Sequence, residues 1–299
     1  MESTEQLHKQ LDSLDQLRSI VKTMKALSAA SIRQYEQAVT ALDGYYRTVE
    51  HGLHVVLKDL QQAPAPARRT HEPPRLAAIV FGSDHGLCGR FNEEITGHAL
   101  QRMASTGADP RHRLVLAVGA RVAASLEHQG QAIQEDFLVP GSAAQITVTV
   151  QQILLKVDEW RQQGGVQSVY LFYNRHSAGK GYLPTDMELL PVNLQRFKRL
   201  QEQRWPSRSL PTFSMDGDAL LSRLLHQYLF VSIFRACAES QASEHASRLA
   251  AMQAAERNLD DRLAEVTMVF RRARQNTITS ELLDVVAGFE AITSDTSAS

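Results

Sequence analysis

Proline is missing from both ends of this 299-residue chain: all ten prolines lie between Pro64 and Pro211, with twelve of the 16 glycines. Proline removes a helical hydrogen bond and clashes with the preceding turn, so its absence over residues 1–62 and 215–299 permits long uninterrupted helices. Aromatic residues are scarce at 6%, low for a chain built mainly from sheet cores. There are two cysteines, Cys88 and Cys237, with no CxxC pair or metal-ligand spacing. That excludes a disulfide framework and suits a reducing compartment. The net charge of −1 gives no global attraction to nucleic acid. No apolar run approaches the ~18 residues of a membrane span; Leu76 to Phe81 is among the longest. The start carries Glu2 and Glu5 where a secretory signal would have a basic stretch before an apolar one, so no signal peptide is expected. A soluble protein is expected, able to dock on a membrane complex.

What is present divides into parts. Residues 1–62 read as one helix, from about Ser3 to Leu60, that Pro64 and Pro66 end. Its apolar residues fall at Tyr35, Val39, Leu42, Tyr46, Val49, Leu53, Val56 and Leu60. That alternation of four and three marks a coiled-coil seam, and Leu7, Leu11, Leu14, Val21 and Met24 extend a similar face. Residues 75–200 change period. Arg75–Phe81, Arg113–Val118 and Val166–Tyr173 are short apolar runs, separated by helical patterns at about Asn92–Ser105, Ala120–Gln129 and Ser142–Gln163. Apolar strands alternating with helices predict a Rossmann-like α/β domain whose sheet is covered by helices, with strand order left open. Gln195–Pro211 reads as a surface linker. Residues 215–292 read as a second long helix, with Met252, Leu259, Val266 and Ala273 seven apart and Leu249, Leu263 and Phe270 interleaved. The phase slips near Arg274 and the face resumes through Ile278, Leu282, Val285, Phe289 and Ile292. The two seams most simply pair as an antiparallel coiled coil, and residues 293–299 are expected to form a disordered tail.

Chemistry is sparse. The run Gly82-Ser-Asp-His-Gly-Leu-Cys-Gly89 follows a strand and precedes a helix, where α/β folds bind phosphate on backbone N–H groups. Its glycine spacing matches neither GxGxxG nor GxxxxGK[ST], so a structural turn built on Asp84, Gly86 and Gly89 is the stronger reading. His85 and Cys88 offer a thiol and an imidazole with no nameable orienting residue. The eleven histidines contain no HExxH or Cys/His cluster, so neither a metal nor a cofactor is expected. Arg18, Lys22, Lys25 and Arg33 form a basic stretch beside the small residues Ala26, Ser28, Ala29, Ala30 and Ser31, suited to an acidic partner. Arg271, Arg272 and Arg274 form a second basic cluster.

Three patterns resemble the gamma subunit of F-type ATP synthases. They are Ile20-Val-Lys-Thr-Met24-Lys-Ala-Leu-Ser-Ala-Ala-Ser-Ile-Arg33, Asp84-His-Gly-Leu-Cys-Gly-Arg-Phe-Asn92, and Ser243-Glu-His-Ala-Ser-Arg248-Leu-Ala-Ala-Met252 with Ala273-Arg-Gln275-Asn-Thr-Ile-Thr279-Ser-Glu281 and Gly288. Departures from the family pattern at Ser31, His85, Arg271 and Phe289 suit a divergent branch, such as the alternative F-type ATPase some bacteria carry. No cysteine pair like the chloroplast redox switch is inserted. The resemblance implies the central shaft of a rotary motor, serving ATP synthesis and hydrogen ion transport, with no catalysis of its own. It implies one such chain per three alpha and three beta subunits, with the epsilon subunit and the membrane c-ring as further partners, no nucleic acid, and a peripheral place on the cytoplasmic face of the cell membrane. Carried over residue by residue, it puts Arg274 and Gln275 against the beta subunits, with Lys22, Met24 and Lys25 on the facing helix. Two other readings stand beside it: a coiled-coil scaffold bearing an α/β module, and a nucleotide-binding enzyme using the Gly82–Gly89 turn.

Overall fold

The computed structural model describes residues 4–59, 75–163, 165–177, 181–192 and 211–296. The elements are α1 (Thr4–Asp59), β1 (Arg75–Phe81), α2 (Phe91–Ser105), β2 (Arg113–Val118), α3 (Ala120–His128), β3 (Glu135–Phe137), α4 (Ile146–Gln163), β4 (Val166–Ser177), β5 (Gly181–Leu190) and α5 (Gly217–Thr296). Two compact units share them. One is Ser28–Arg248; the other joins the chain up to Leu27 with the chain from Leu249 onward. The sequence from 193 to 210, with most of the expected linker, lies outside the described residues. Helix α5 runs to Thr296, four residues into the segment expected as a tail, and residues 297–299 are outside the described residues.

In the Ser28–Arg248 unit the sheet has the order β3-β2-β1-β4-β5. Strands β1 to β4 run parallel, and β5 returns antiparallel to β4. Both faces are covered, which is why β1 carries no polar residue after Arg75. Leu76, Ala78 and Val80 pack with Ile95, Ala99 and Met103 of α2 and Val122 and Leu126 of α3. The alternate residues Ala77, Ile79 and Phe81 pack in the opposite layer with Ile146, Val150, Ile153 and Val157 of α4 and with the long helices. Side chains of one strand point alternately to the two faces, so a sheet covered on both sides needs unbroken apolar strands. The two strands that the apolar-run reading did not find are the sheet's edges. Strand β3 is three residues, Glu-Asp-Phe, and β5 contains Pro184, a residue that sheets admit at an edge.

Within this unit α1 and α5 run antiparallel. Tyr35 stacks on His245 at 5.7 Å, Asp43 pairs with Arg235 at 3.5 Å, Tyr46 lies 6.1 Å from Tyr228, and Tyr45 bonds Gln227 at 2.7 Å. Tyr35, Val49, Leu53 and Val56 of the expected seam are buried. Gly52 lets the helices close up, since a Cβ there would lie 2.9 Å from Leu224 Cδ2. Between Tyr228 and Arg248, however, α5 is more than half of a two-helix seam. Val231, Ser232 and Ile233, then every residue from Ala236 to Glu244, are buried. There the helix runs through the core, with apolar packing that includes both α1 and the sheet.

In the other unit the pairing is also antiparallel. His8 meets Phe270 edge-on at 5.9 Å, Arg18 reaches Asp260 at 2.7 Å and Lys25 reaches Glu256 at 2.5 Å. Leu7, Met252 and Val266 are buried in the seam. The apolar face expected to resume after the phase slip has no cover among the described residues: Ile278, Leu282 and Val285 are 50%, 62% and 72% exposed.

Candidate functional site

The Gly82–Gly89 turn is built around polar side chains. Ser83 N–H donates to Asn92 Oδ1 at 3.0 Å, Asn92 Nδ2 donates to Ser83 Oγ at 2.8 Å, and Ser83 Oγ donates to the His85 carbonyl at 2.8 Å. The carboxylate of Asp84 accepts from Ala120 N–H at 2.9 Å and from Val139 N–H at 2.9 Å. Ala120 opens α3, so the first N–H of that helix, a donor that phosphate-binding α/β folds turn toward their ligand, already holds the protein's own anion. This arrangement gives the nucleotide-enzyme reading little support. Gly119 is needed beside it: its φ is +121°, and a Cβ would lie 2.8 Å from the Ser83 backbone. Gly89 has φ +61°, while a Cβ on Gly86 would make only ordinary contact with Arg121, at 3.5 Å. The one positive φ carried by a non-glycine among the described residues is at Leu87.

No thiol–imidazole pair forms in the turn. Cys88 is buried and its Sγ contacts Ser83 Oγ at 3.6 Å and the His85 carbonyl, whereas His85 is exposed. Burial pushes the Cys88 thiol up, away from the reactive thiolate. The turn instead grips α5. Ser247 Oγ donates to the Cys88 carbonyl at 2.6 Å, and Arg248 donates to Glu244 at 2.6 Å and to the His85 carbonyl at 3.3 Å. Burial raises the Glu244 carboxyl, a rise that Arg248 opposes. Burial first, and Arg248 second, hold the His245 imidazole down at about 4. Tyr35 stacks on that ring and donates to the Pro140 carbonyl at 3.0 Å; burial pushes its phenol up to about 12. The sequence reading named Asp84, Gly86 and Gly89 in the turn, and had Tyr35 in the seam and Ser247 and Arg248 in a C-terminal pattern, without joining them, because their partners come from distant segments.

The residues expected to meet a partner lie in the helix-pair unit, and they do not come together. Lys22 is exposed and Met24 half-buried, while Lys25 is occupied by Glu256. Arg274 and Gln275 are exposed past the covered seam, with Arg274 lining an open groove beside Glu5 and His8. From Glu256 to Arg274 is about 27 Å along a helix rising 1.5 Å per residue. Sequence reading also missed a second stripe on α1. Leu17, Ile20 and Leu27, with Met24 between them, recur at three and four and are 50%, 56% and 63% exposed. The spacing was visible, but beside the stronger seam it reads as noise. Among the described residues no cluster of metal-binding side chains occurs and no helix is long and apolar enough to cross a membrane.

Comparison with known proteins covers almost the whole chain. A family model described as ATP synthase matches residues 3–292. The ATP synthase gamma chain of Pelotomaculum thermopropionicum is 29% identical over 293 residues, spanning 98% of this chain and 100% of that one. That of Paracoccus denitrificans is 28% identical over 300 residues, spanning 98% and 100%. Among solved structures, a chain of the Euglena gracilis mitochondrial ATP synthase OSCP/F1/c-ring assembly matches with a TM-score of 0.63 at 16% identity, covering 97% of this chain and 94% of that one. A chain of the Euglena gracilis ATP synthase rotor matches with a TM-score of 0.59 at 15% identity, covering 92% and 98%.

Proposed function

We infer the work of this chain from its kinship: it belongs to the ATP synthase family, its relatives there are gamma chains, and it is the rotor shaft of an F-type ATP synthase. The observation that carries the reading is the uncovered apolar surface of the helix-pair unit. Leu17, Ile20 and Leu27 on α1, and Ile278, Leu282 and Val285 on α5, expose large side chains that the described chain does not cover. Apolar surface rimmed by charge marks a protein-contact site. Three alpha and three beta subunits supply the cover. Lys22 and Met24, and farther along α5 Arg274 and Gln275, meet the beta subunits, with Lys25 contributing through its pair with Glu256.

The α/β fold carries no chemistry in this reading; Asp84, Gly86 and Gly89 shape a turn that fastens it to α5. It holds the epsilon subunit and the membrane c-ring, and the chain is a non-catalytic subunit, peripheral on the cytoplasmic face of the membrane. Because the helix pair is asymmetric, each beta subunit meets different side chains and is biased toward a different nucleotide affinity. Turning the shaft exchanges those states and couples ion flow to ATP synthesis or hydrolysis. Co-expression with its alpha and beta subunits tests this: one complex with one copy of this chain per three of each is expected. A stable homodimer that ignores them would favour the scaffold.

A further inference from the structure

On the two long helices, Ser13, Thr23, Thr40, Thr48, Thr277 and Thr279 each turn the hydroxyl back on the carbonyl four residues earlier, and all of these bonds are exposed. Ser240 and Ser243 of α5 differ on both counts. Both are 0% exposed, and neither hydroxyl has a hydrogen-bond partner in the protein. Glu239 in the same turn is 8% exposed. Its Oε1 accepts from Arg235 Nε at 2.7 Å, while its Oε2 is buried and unpartnered. Side chains three and four apart on a helix are neighbours, so Ser243 lies beside both Ser240 and Glu239. One turn on, Ser247 shares this face and donates to the Cys88 carbonyl at 2.6 Å, so the face is turned toward the α/β fold. Around it Ala236, Ala238 and Ala242 belong to the apolar layer that includes Phe81 and Tyr173 of the sheet.

Three polar atoms grouped in an apolar layer destabilise the fold unless something bonds them. Alanine would pack at 240 and 243 as it does at 236 and 242, so the hydroxyls call for a reason other than packing. Their partner is enclosed, because all three side chains are closed off from solvent. It donates to a carboxylate oxygen, which only accepts, and it bonds hydroxyls, which do both. Water has that capacity and that size. We propose that the Glu239–Ser243 face of α5 is a buried water site, in which ordered water bridges Glu239 Oε2 to the hydroxyls of Ser240 and Ser243. The water completes the polar contacts of α5 in the core of the Ser28–Arg248 unit. The site goes beyond the shaft reading and stands without it.

Crystals of the full-length chain, diffracting well enough to place ordered water, test the site. Water density is expected within roughly 2.6–3.2 Å of Glu239 Oε2 and of at least one of the two serine hydroxyls. Ser240→Ala with Ser243→Ala removes the hydroxyl partners, so the density is expected to disappear and the urea midpoint of the full-length chain to fall, although alanine is the better helix former. Direct bonding of Ser243 Oγ to Glu239 Oε2 with no water between them overturns the proposal. So does a urea midpoint that rises in the double variant, since removing a dry, unpaired hydroxyl relieves the fold. An anomalous peak at the same place after soaking in rubidium chloride also overturns it, and assigns the site to a cation instead.

Discussion

Tyr35 ties three segments of the Ser28–Arg248 unit together: it sits in the α1 seam, stacks on His245 of α5 and donates to the carbonyl of Pro140. Tyr35→Phe keeps the ring and removes one buried hydrogen bond, so stability by urea denaturation is expected to drop by about 1 kcal/mol. His245 beside it gives a pH signature. Its folded pKa of about 4 lies below the ordinary 6.5, so between those values the unfolded chain binds a proton that the folded chain refuses. Stability then falls on acidification from about pH 6.5 and the loss is complete below about pH 4, on the order of 3 kcal/mol. Glu244 is shifted upward by burial and acts in the opposite sense, its contribution waning as pH rises past the usual carboxylate range. Replacing His245 with Gln should flatten the acid-side slope and leave the other; an unchanged slope would show that the imidazole is not its source.

Among the elements, α3 depends on a residue far from it in sequence. Asp84→Ala strips the acceptor from the N–H groups of Ala120 and Val139, and a loss of roughly 2–3 kcal/mol is expected on denaturation. The exposed end of α5 should behave oppositely. Leu282→Ser with Val285→Ser alters side chains that are already uncovered, so the thermal midpoint of the isolated chain should hold, within about 0.5 kcal/mol in stability. Co-purification with alpha and beta subunits should weaken in the same variant. These elements also mark how far the sequence could be read. Strands β1, β2 and β4 were legible because a sheet covered on both faces makes its strands apolar throughout. The edges β3 and β5 lacked that signature, with Glu135, Asp136 and Pro184 in place of aliphatics. The buried stretch of α5 from Tyr228 to Arg248 was legible as helix but not as core, since Ser240 and Ser243 are polar residues that are nonetheless buried, and Ser247 and Arg248 find their partners only once the turn after β1 folds against them. Lys25 could be placed on a basic face, yet its partner Glu256 lies on the other long helix, and spacing along one helix cannot report that.

At the scale of the whole molecule, the chain falls into two compact units. The Ser28–Arg248 unit is a packed α/β fold threaded by α5 and anchored at the Gly82–Gly89 turn; the other is a helix pair with mixed apolar and basic surface left uncovered. The proline-free ends noted first take part in both units: their outer parts form the helix pair, and their inner parts pack with the proline-bearing middle in the α/β fold. The most direct test of that division is single-molecule rotation. The complex with alpha and beta subunits is fixed to a surface through beta, and a bead is attached to a cysteine replacing the exposed Gln151 on α4. The shaft account predicts that ATP drives the bead in one direction, with three pauses per turn, one for each beta subunit. Steady ATP hydrolysis with a bead that shows no directed rotation would contradict it.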